Sequence, residues 1–561
     1  MSDLAHDDVL TETEPSPEPV VSEPRTGRFP SGPRLLVAAV YAAAAVPVLY
    51  VLYRVHRAPA LPYTDYWTAF VRVFNPDGSV HLRGFFTYQN EHPFVIPNAI
   101  YYIDAKFFEG TNQFCGYLSV VLALLAIFFL RRLLPEAMSA PMRAVMTFTM
   151  TAVMFCPSGL WNFVRGMSGA AWLTANLFCL AAILLAWRGR TVPATVLAAF
   201  SILSYGTGFG APVAIALIAL VRRDKWWRWA LPLGLLAGAA AVYAATSNGG
   251  STGSNTHDPA LIASTFLSNV GMLWDPSGGS LSVIAGAAGL FLIGWSFWTV
   301  RSEPAFADLV PWWGVAVYSI CAAGLISLAR GQVSDGVGVQ GRYSSLSGLF
   351  WIAVAVIALR VVLARKPSSV HVGALASTVL VFIAVSPALA DQAMGLEPTQ
   401  RLSAAALRFG ASGPVRANVT PIAQVIPRLK ALGDYPFNSS YSVGCGFKPG
   451  DTVTAKIRTL PLTYENSTNG AVDVDASAAD GALRFTGWIR RGAGANCVLI
   501  LDRTGKIVGG GVTKIPRSDI GQFGQASPPI GYDALTPIGQ TGLRVVLGFD
   551  DGYWLQTPQP G

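Results

Sequence analysis

Two polar clusters follow the first long apolar run of the chain. They are Pro62-Tyr-Thr-Asp65-Tyr-Trp67 and Tyr88-Gln-Asn90-Glu91-His92-Pro93, and between them they concentrate carboxylates, an imidazole, amides and aromatics. Asp65 has the chemistry of a general base that takes a proton from an attacking hydroxyl; the competing reading makes it the cap of a helix beginning at Tyr66. Glu91 and His92 form a second candidate pair, with His92 able to carry a proton or donate to a phosphate. The alternative there is structural, with Asn90 capping the next helix and Pro93 in its first turn. Arg342 beside Tyr343, then Arg330 and Arg165, are the candidates for holding a phosphate, because the guanidinium fork matches its oxygens. Contact with anionic lipid headgroups is their other explanation. Trp67, Asn90, Trp161 and Asn162 flank these groups and are expected to line the substrate.

Other signals are weak. Gly206-Thr-Gly-Phe-Gly210 lacks the strand-turn-helix setting of a dinucleotide loop, and no Walker-type loop is present. His81, His257 and His371 have no zinc-ligand spacing, so no structural metal is expected. A divalent cation assisting a phosphate has Asp65, Glu91 and Asp335 as candidate ligands, and nothing in the sequence selects it.

These groups must be positioned by a membrane protein. Of 561 residues, 52% are hydrophobic and 13% charged, with a mean hydropathy of +0.43, whereas a soluble domain carries charge on about a quarter of its residues. The net charge of +8 does not point to nucleic acid, since Lys and Arg cluster at the ends of apolar runs, as topology signals do. Residues 1–33 are polar and acidic, and are expected to be a disordered cytoplasmic tail. Residues 34–390 are expected to form a polytopic transmembrane α-helical domain of about eleven crossings. Within it, residues 56–113 make a long first outer loop. In that loop Ile96, Ile100, Ile103 and Phe107 form one helical stripe, which suits a helix lying along the membrane surface. Residues 192–220 carry basic residues at both ends and a glycine-rich interruption at Tyr205–Gly210. Two helices of roughly 14 residues, each shorter than the ~20 needed to span, are expected to meet there and line a cavity.

With an odd number of crossings and the N-terminus inside, residues 391–561 fall outside. Their short alternating runs at 452–460, 483–489, 497–501, 506–515 and 543–549 predict an extracytoplasmic all-β sandwich domain. Cys445 and Cys497 are the two cysteines of this region, and in an oxidising compartment a disulfide between them is expected. Trp488 and Trp554 fit either a glycan-binding surface or the domain core.

An enzyme facing outward has no nucleotide sugar at hand, so a synthetic reaction there draws its activated group from a lipid carrier. Such a reaction needs a carboxylate base, cations for the departing phosphate and a groove for a polyprenyl chain. Asp65-Tyr-Trp67, Asn90-Glu91-His92, Trp161-Asn162-Phe163 with Gly166, and Gly341-Arg342-Tyr343, in this order, resemble the GT-C superfamily of membrane glycosyltransferases. The likeness is greatest to the group that includes actinobacterial cell-wall arabinofuranosyltransferases. Phe485-Thr-Gly-Trp488 and Ile515-Pro-Arg517-Ser-Asp519-Ile resemble their attached β domains. The resemblance implies a GT-C-like membrane domain and transfer of a sugar from a polyprenyl-phosphate donor to a cell-envelope glycan or glycolipid, with Asp65 as base. The plasma membrane is the expected location, with the lipid bilayer as a partner and a β domain whose expected ligand is glycan. The chain departs from the family pattern at Pro93, where an arginine commonly follows the histidine; Arg83 or Arg342 is left to take that role. The alternatives are a transporter or flippase of a lipid-linked glycan, suggested by the broken helix pair, and a non-catalytic scaffold.

Overall fold

The computed structural model describes residues 32–89, 92–136, 138–246, 258–303, 306–330, 340–365, 397–413, 415, 419, 421–459, 470–475, 481–489, 495–516 and 530–556. The tail before residue 32, Asn90, Glu91, His257, Asp335, His371 and the apolar run 370–389 lie outside these residues.

Seven helices among the described residues are long and apolar enough to cross a membrane. They lie within α1 (Gly32–Arg57), α4 (Asn112–Arg132), α7 (Gly166–Trp187), α10 (Trp227–Thr246), α12 (Ser280–Val300), α13 (Phe306–Arg330) and the stretch ending in α14 (Ser344–Arg365). The segments Ala140–Met154 (α5) and Pro157–Val164, bent by 42°, make an eighth if they are one span. This is fewer than the expected eleven. The reason lies largely in α8 (Thr191–Ser204) and α9 (Gly210–Val221), which at 14 and 12 residues are too short to span singly.

Burial orders the bundle. The apolar window of α7 is 83% buried and that of α13 72%, against 11% for α1 and 6% for α10, so α7 is central and α10 peripheral. Close approach at the centre depends on small residues: a Cβ at Gly166 would lie 2.3 Å from the Gly116 backbone nitrogen, so α4 and α7 meet at backbone distance only with glycine there.

Residues 56–113 fold against one end of the bundle. They contribute α2 (Asp65–Val73), a two-residue hairpin of β1 (Tyr88–Gln89) and β2 (His92–Pro93), and α3 (Val95–Phe107). The expected stripe on α3 is present and splits along its length: Ile103 and Phe107 are exposed, whereas Ile96 is half-buried and Ile100 packs against the core, with Pro97, Asn98, Tyr101, Asp104 and Ala105 buried. The exposed apolar end is compatible with a membrane interface.

After residue 397 come α15 (Glu397–Phe409), α16 (Ile422–Leu432) and an eight-stranded sheet. The strands are β3 (Ile457–Thr459), β4 (Gly470–Asp475), β5 (Ala482–Ile489), β6 (Cys497–Leu501), β7 (Ile507–Pro516), β8 (Ile530–Pro537), β9 (Arg544–Phe549) and β10 (Gly552–Gln556). Their order is β3-β10-β9-β6-β7-β8-β5-β4, antiparallel except for β3 with β10. The expected sandwich of two sheets is therefore corrected to one continuous ladder among the described residues. Strand β7 joins its halves, since it pairs with β6 on one edge and β8 on the other, bending at an irregularity between Thr513 and Ile515. Both faces are covered: Cys497, Leu499, Leu501 and Val546 belong to the main core, while Val498, Ile500, Val545 and Leu547 form a second core with Phe485 and Ile489. Cys445 is disulfide-bonded to Cys497, with Cα atoms 5.6 Å apart. Trp488 is buried in β5, and Trp554 donates its indole N–H to Asp551.

Candidate functional site

The first cluster divides by burial. Trp67 is fully buried, edge-on to Tyr66 and Phe70, and its indole N–H donates to the Pro62 carbonyl at 3.0 Å. It anchors α2 and does not line a substrate site, which corrects its expected role. Asp65 sits one residue later than a cap, since Thr64 is the N-cap residue and Asp65 opens the first turn. Half-buried, its side chain has no hydrogen-bond or ion-pair partner among the described residues. Its charge lies at the positive end of α2 and acts on Arg72 two turns along, on Tyr101 of α3 and on Tyr205.

Arg72 connects α2 to the second cluster. It donates to the Tyr88 carbonyl and to Gln89 Oε1 (2.9 Å), fixing the hairpin that presents His92. The pairing of Gln89 with His92 and Tyr88 with Pro93 places Pro93 in a strand, and α3 starts only at Val95 after Phe94. The reading of Asn90 and Pro93 as a helix start is overturned. His92 instead faces the glycine-rich interruption: its ring lies 4.0 Å from that of Tyr205, and Arg330 Nη2 is 3.5 Å from His92 Nε2. A Cβ at Gly206 would stand 2.6 Å from His92 Nδ1, so the imidazole reaches this position only because residue 206 is glycine.

From Tyr205 an aromatic chain leads to the arginines. Trp172 of α7 lies 4.1 Å from Tyr205 and 5.0 Å from Tyr343, centroid to centroid. Arg342 rests over the Tyr343 ring and donates to its hydroxyl at 3.2 Å. Arg165 is stacked on Trp161, 3.3 Å from guanidinium carbon to centroid, with Tyr63 on another side. The charges of Arg165, Arg342 and Arg330 act on one another in sequence, and that of Arg342 also on Tyr205. Among the described residues neither Arg165 nor Arg342 has a carboxylate partner, and the Nε of each is buried without an acceptor. Buried guanidinium donors left unsatisfied and close to one another are costly, and an anion between them would relieve both terms. Asn162, expected to line substrate, is buried and donates to the Arg342 carbonyl at 3.0 Å. It is a positioning residue for that turn. Trp161 supports Arg165.

A cavity of about 260 Å³ opens beside this array. His92, Tyr205, Arg330 and Tyr343 form its polar side, and Phe209, Leu325, Ile326 and Ala240 an apolar side that extends to the peripheral α10. The interruption at Tyr205–Phe209 thus lines a cavity, as its glycines and its short helices suggest. Asp65, Arg165 and Arg342 are not among its lining residues; the charges of Asp65 and Arg342 act on Tyr205, which is. Asn90 and Glu91 lie outside the described residues. Tyr205 and Trp172 are functional candidates that sequence reasoning did not single out. Tyr205 had a signal, since it opens the interruption, whereas Trp172 sits in a uniformly apolar helix.

Behind α2 is a buried acidic pair. Asp104 accepts from the Thr111 N–H (3.2 Å), and Asp434 packs against Gly110 of the same loop. Burial and Glu109 push Asp434 up to about 7, with Lys106 opposing, and burial raises Asp104 as well. A folded-state pKa above the unfolded one favours folding most below the ordinary carboxylate range, and the benefit is lost as pH rises through the folded value. The contact between residues 56–113 and residues 397–459 should therefore weaken between about pH 4 and 7. Thermal melts should fall across that window, and Asp434→Asn should flatten the slope; an unchanged slope would contradict this account.

Among the described residues no group of three or more His, Cys, Asp or Glu side chains could hold a metal ion. Comparison with protein families and with curated proteins finds no match for this chain.

Proposed function

We propose that the protein is a membrane glycosyltransferase that moves a sugar from a polyprenyl-phosphate donor to a cell-envelope glycan or glycolipid. In this reading the end of the bundle that carries residues 56–113 and the sheet domain faces the extracytoplasmic side. The observation that carries the reading is the convergence of Arg165, Arg330 and Arg342, two with unsatisfied buried donors, beside an apolar-walled cavity, with Asp65, which has no hydrogen-bond or ion-pair partner among the described residues, near enough for its charge to act on Tyr205 of the lining. An anion with an apolar tail fits that combination, with the phosphate at the arginines and the polyprenyl chain leaving between α10 and α13.

In the reaction Asp65 accepts the proton of the acceptor hydroxyl as its oxygen bonds to the anomeric carbon. The bond from that carbon to the phosphate oxygen breaks, and the electron pair leaves with polyprenyl phosphate, whose charge the arginines stabilise. His92 bridges Arg330 and Tyr205 and fixes the donor end. The reading is tested by deleting the gene: one glycan linkage should disappear, and the wild-type chain should restore it where Asp65→Asn, equally expressed, does not. Restoration by Asp65→Asn would remove Asp65 as the base.

Gly206→Ala probes the same geometry. The added methyl must displace His92 by a fraction of an ångström to an ångström, and misplacement of that size costs about a hundredfold in rate. We expect that loss in steady-state transfer, with stability lowered by only about 1–3 kcal/mol.

A further inference from the structure

A second cleft, of about 540 Å³, lies away from the cavity, where the end of α1 meets α15, the segment 435–444 and β7. Its lining is polar: His56, Arg57 and Arg401 contribute cationic or ionisable groups, Tyr435, Tyr441 and Ser440 hydroxyls, and among the described residues no carboxylate lines it.

Each wall is separately fixed. Arg57 ends α1, and the residues after it are tied to the start of α4 by Gln113, which donates to the Ala58 carbonyl at 2.8 Å, and by Asn112, which donates to that of Pro59 at 3.1 Å. On the facing wall, fully buried Gln400 donates to the carbonyls of Leu61 and Pro62 at 3.2 and 2.7 Å. That locks α15 and sets Arg401, the next residue, at the cleft. The third wall is held by the Tyr435 N–H donating to the Glu109 carbonyl at 3.0 Å and by the disulfide at Cys445. Two exposed arginines from elements 344 residues apart in sequence are thereby kept on one opening whatever its occupancy.

Depth points to the ligand. The apolar stretch of α1 runs 21 residues to Arg57, about 30 Å of helix, which matches the hydrocarbon thickness. The cleft therefore sits where one leaflet's phosphates lie. We propose that it binds a phosphate anion of the type carried by an acidic phospholipid headgroup, with Arg57 and Arg401 as ligands and the tyrosine hydroxyls as further donors. This site is independent of the cavity at His92 and of the transfer reaction.

The test is native mass spectrometry of the full-length protein reconstituted with equal parts of phosphatidylcholine and phosphatidylglycerol. The expected result is retention of phosphatidylglycerol over phosphatidylcholine, reduced about tenfold or more in Arg57→Ala/Arg401→Ala, at roughly 1 kcal/mol per arginine. Arg57→Lys/Arg401→Lys should retain part of it. A parallel titration with inorganic phosphate separates the sources: displacement of the lipid at millimolar phosphate identifies a soluble anion as sufficient, and no displacement identifies the lipid. Equal retention of both lipids, or a double-alanine variant with an unchanged melting temperature and unchanged retention, would overturn the proposal.

Discussion

Replacing Asp65 with Asn should lower the transfer rate by roughly a hundred- to ten-thousandfold, the range supplied by one general base, while stability changes by about 1 kcal/mol or less. The two effects separate because, among the described residues, the carboxylate has no hydrogen-bond or ion-pair partner to lose. It is half-buried at the first turn of α2, and the anchoring of that helix belongs to Trp67 and to Arg72. A structural carboxylate would behave in the opposite way, with a lower melting temperature and retained activity in whatever remained folded. Steady-state transfer and a thermal melt on the same preparation distinguish the two.

Arg342→Ala should have the next largest effect, roughly a hundred- to a thousandfold in kcat, as expected for removal of one donor to developing charge. Arg342→Lys should recover part of the loss, since it restores the charge without the planar fork. The side chain reaches Tyr343 but holds no helix in place; the backbone carbonyl that receives Asn162 survives both substitutions. Both variants should therefore fold. Loss confined to the donor KM, with kcat intact, would reassign Arg342 to ground-state binding.

The arginines were legible in the sequence because a guanidinium fork matches phosphate oxygens, and the structure brings Arg165, Arg330 and Arg342 to one region. Asn162 and Trp67 were misread for a shared reason: a polar or aromatic residue beside a candidate site has the same composition signature whether it faces ligand or anchors the loop. Only the partner decides, and here the partners are the carbonyls of Arg342 and Pro62. The eight-stranded sheet was partly legible. Strands β5, β6, β7 and β9 fall on the runs 483–489, 497–501, 506–515 and 543–549 read as strands. Strand β8 carries Asp533 at its centre, which breaks the apolar run until Arg484 of β5 is seen to pair with it at 2.5–3.2 Å. The cavity was readable as a consequence of two helices too short to span. Its second wall, Trp172 and the peripheral α10, depends on packing that leaves no local pattern.

The central claim is that a bond between sugar and phosphate is broken and a glycosidic bond made. It is tested most directly with the purified full-length protein in nanodiscs, a polyprenyl-phosphate donor carrying a labelled sugar, and a glycan acceptor. The account predicts label transferred to the acceptor with an equal amount of polyprenyl phosphate released, and neither product with Asp65→Asn. Intact donor after long incubation with the folded protein, together with movement of intact donor between leaflets in vesicles, would contradict transfer and establish a transporter in its place.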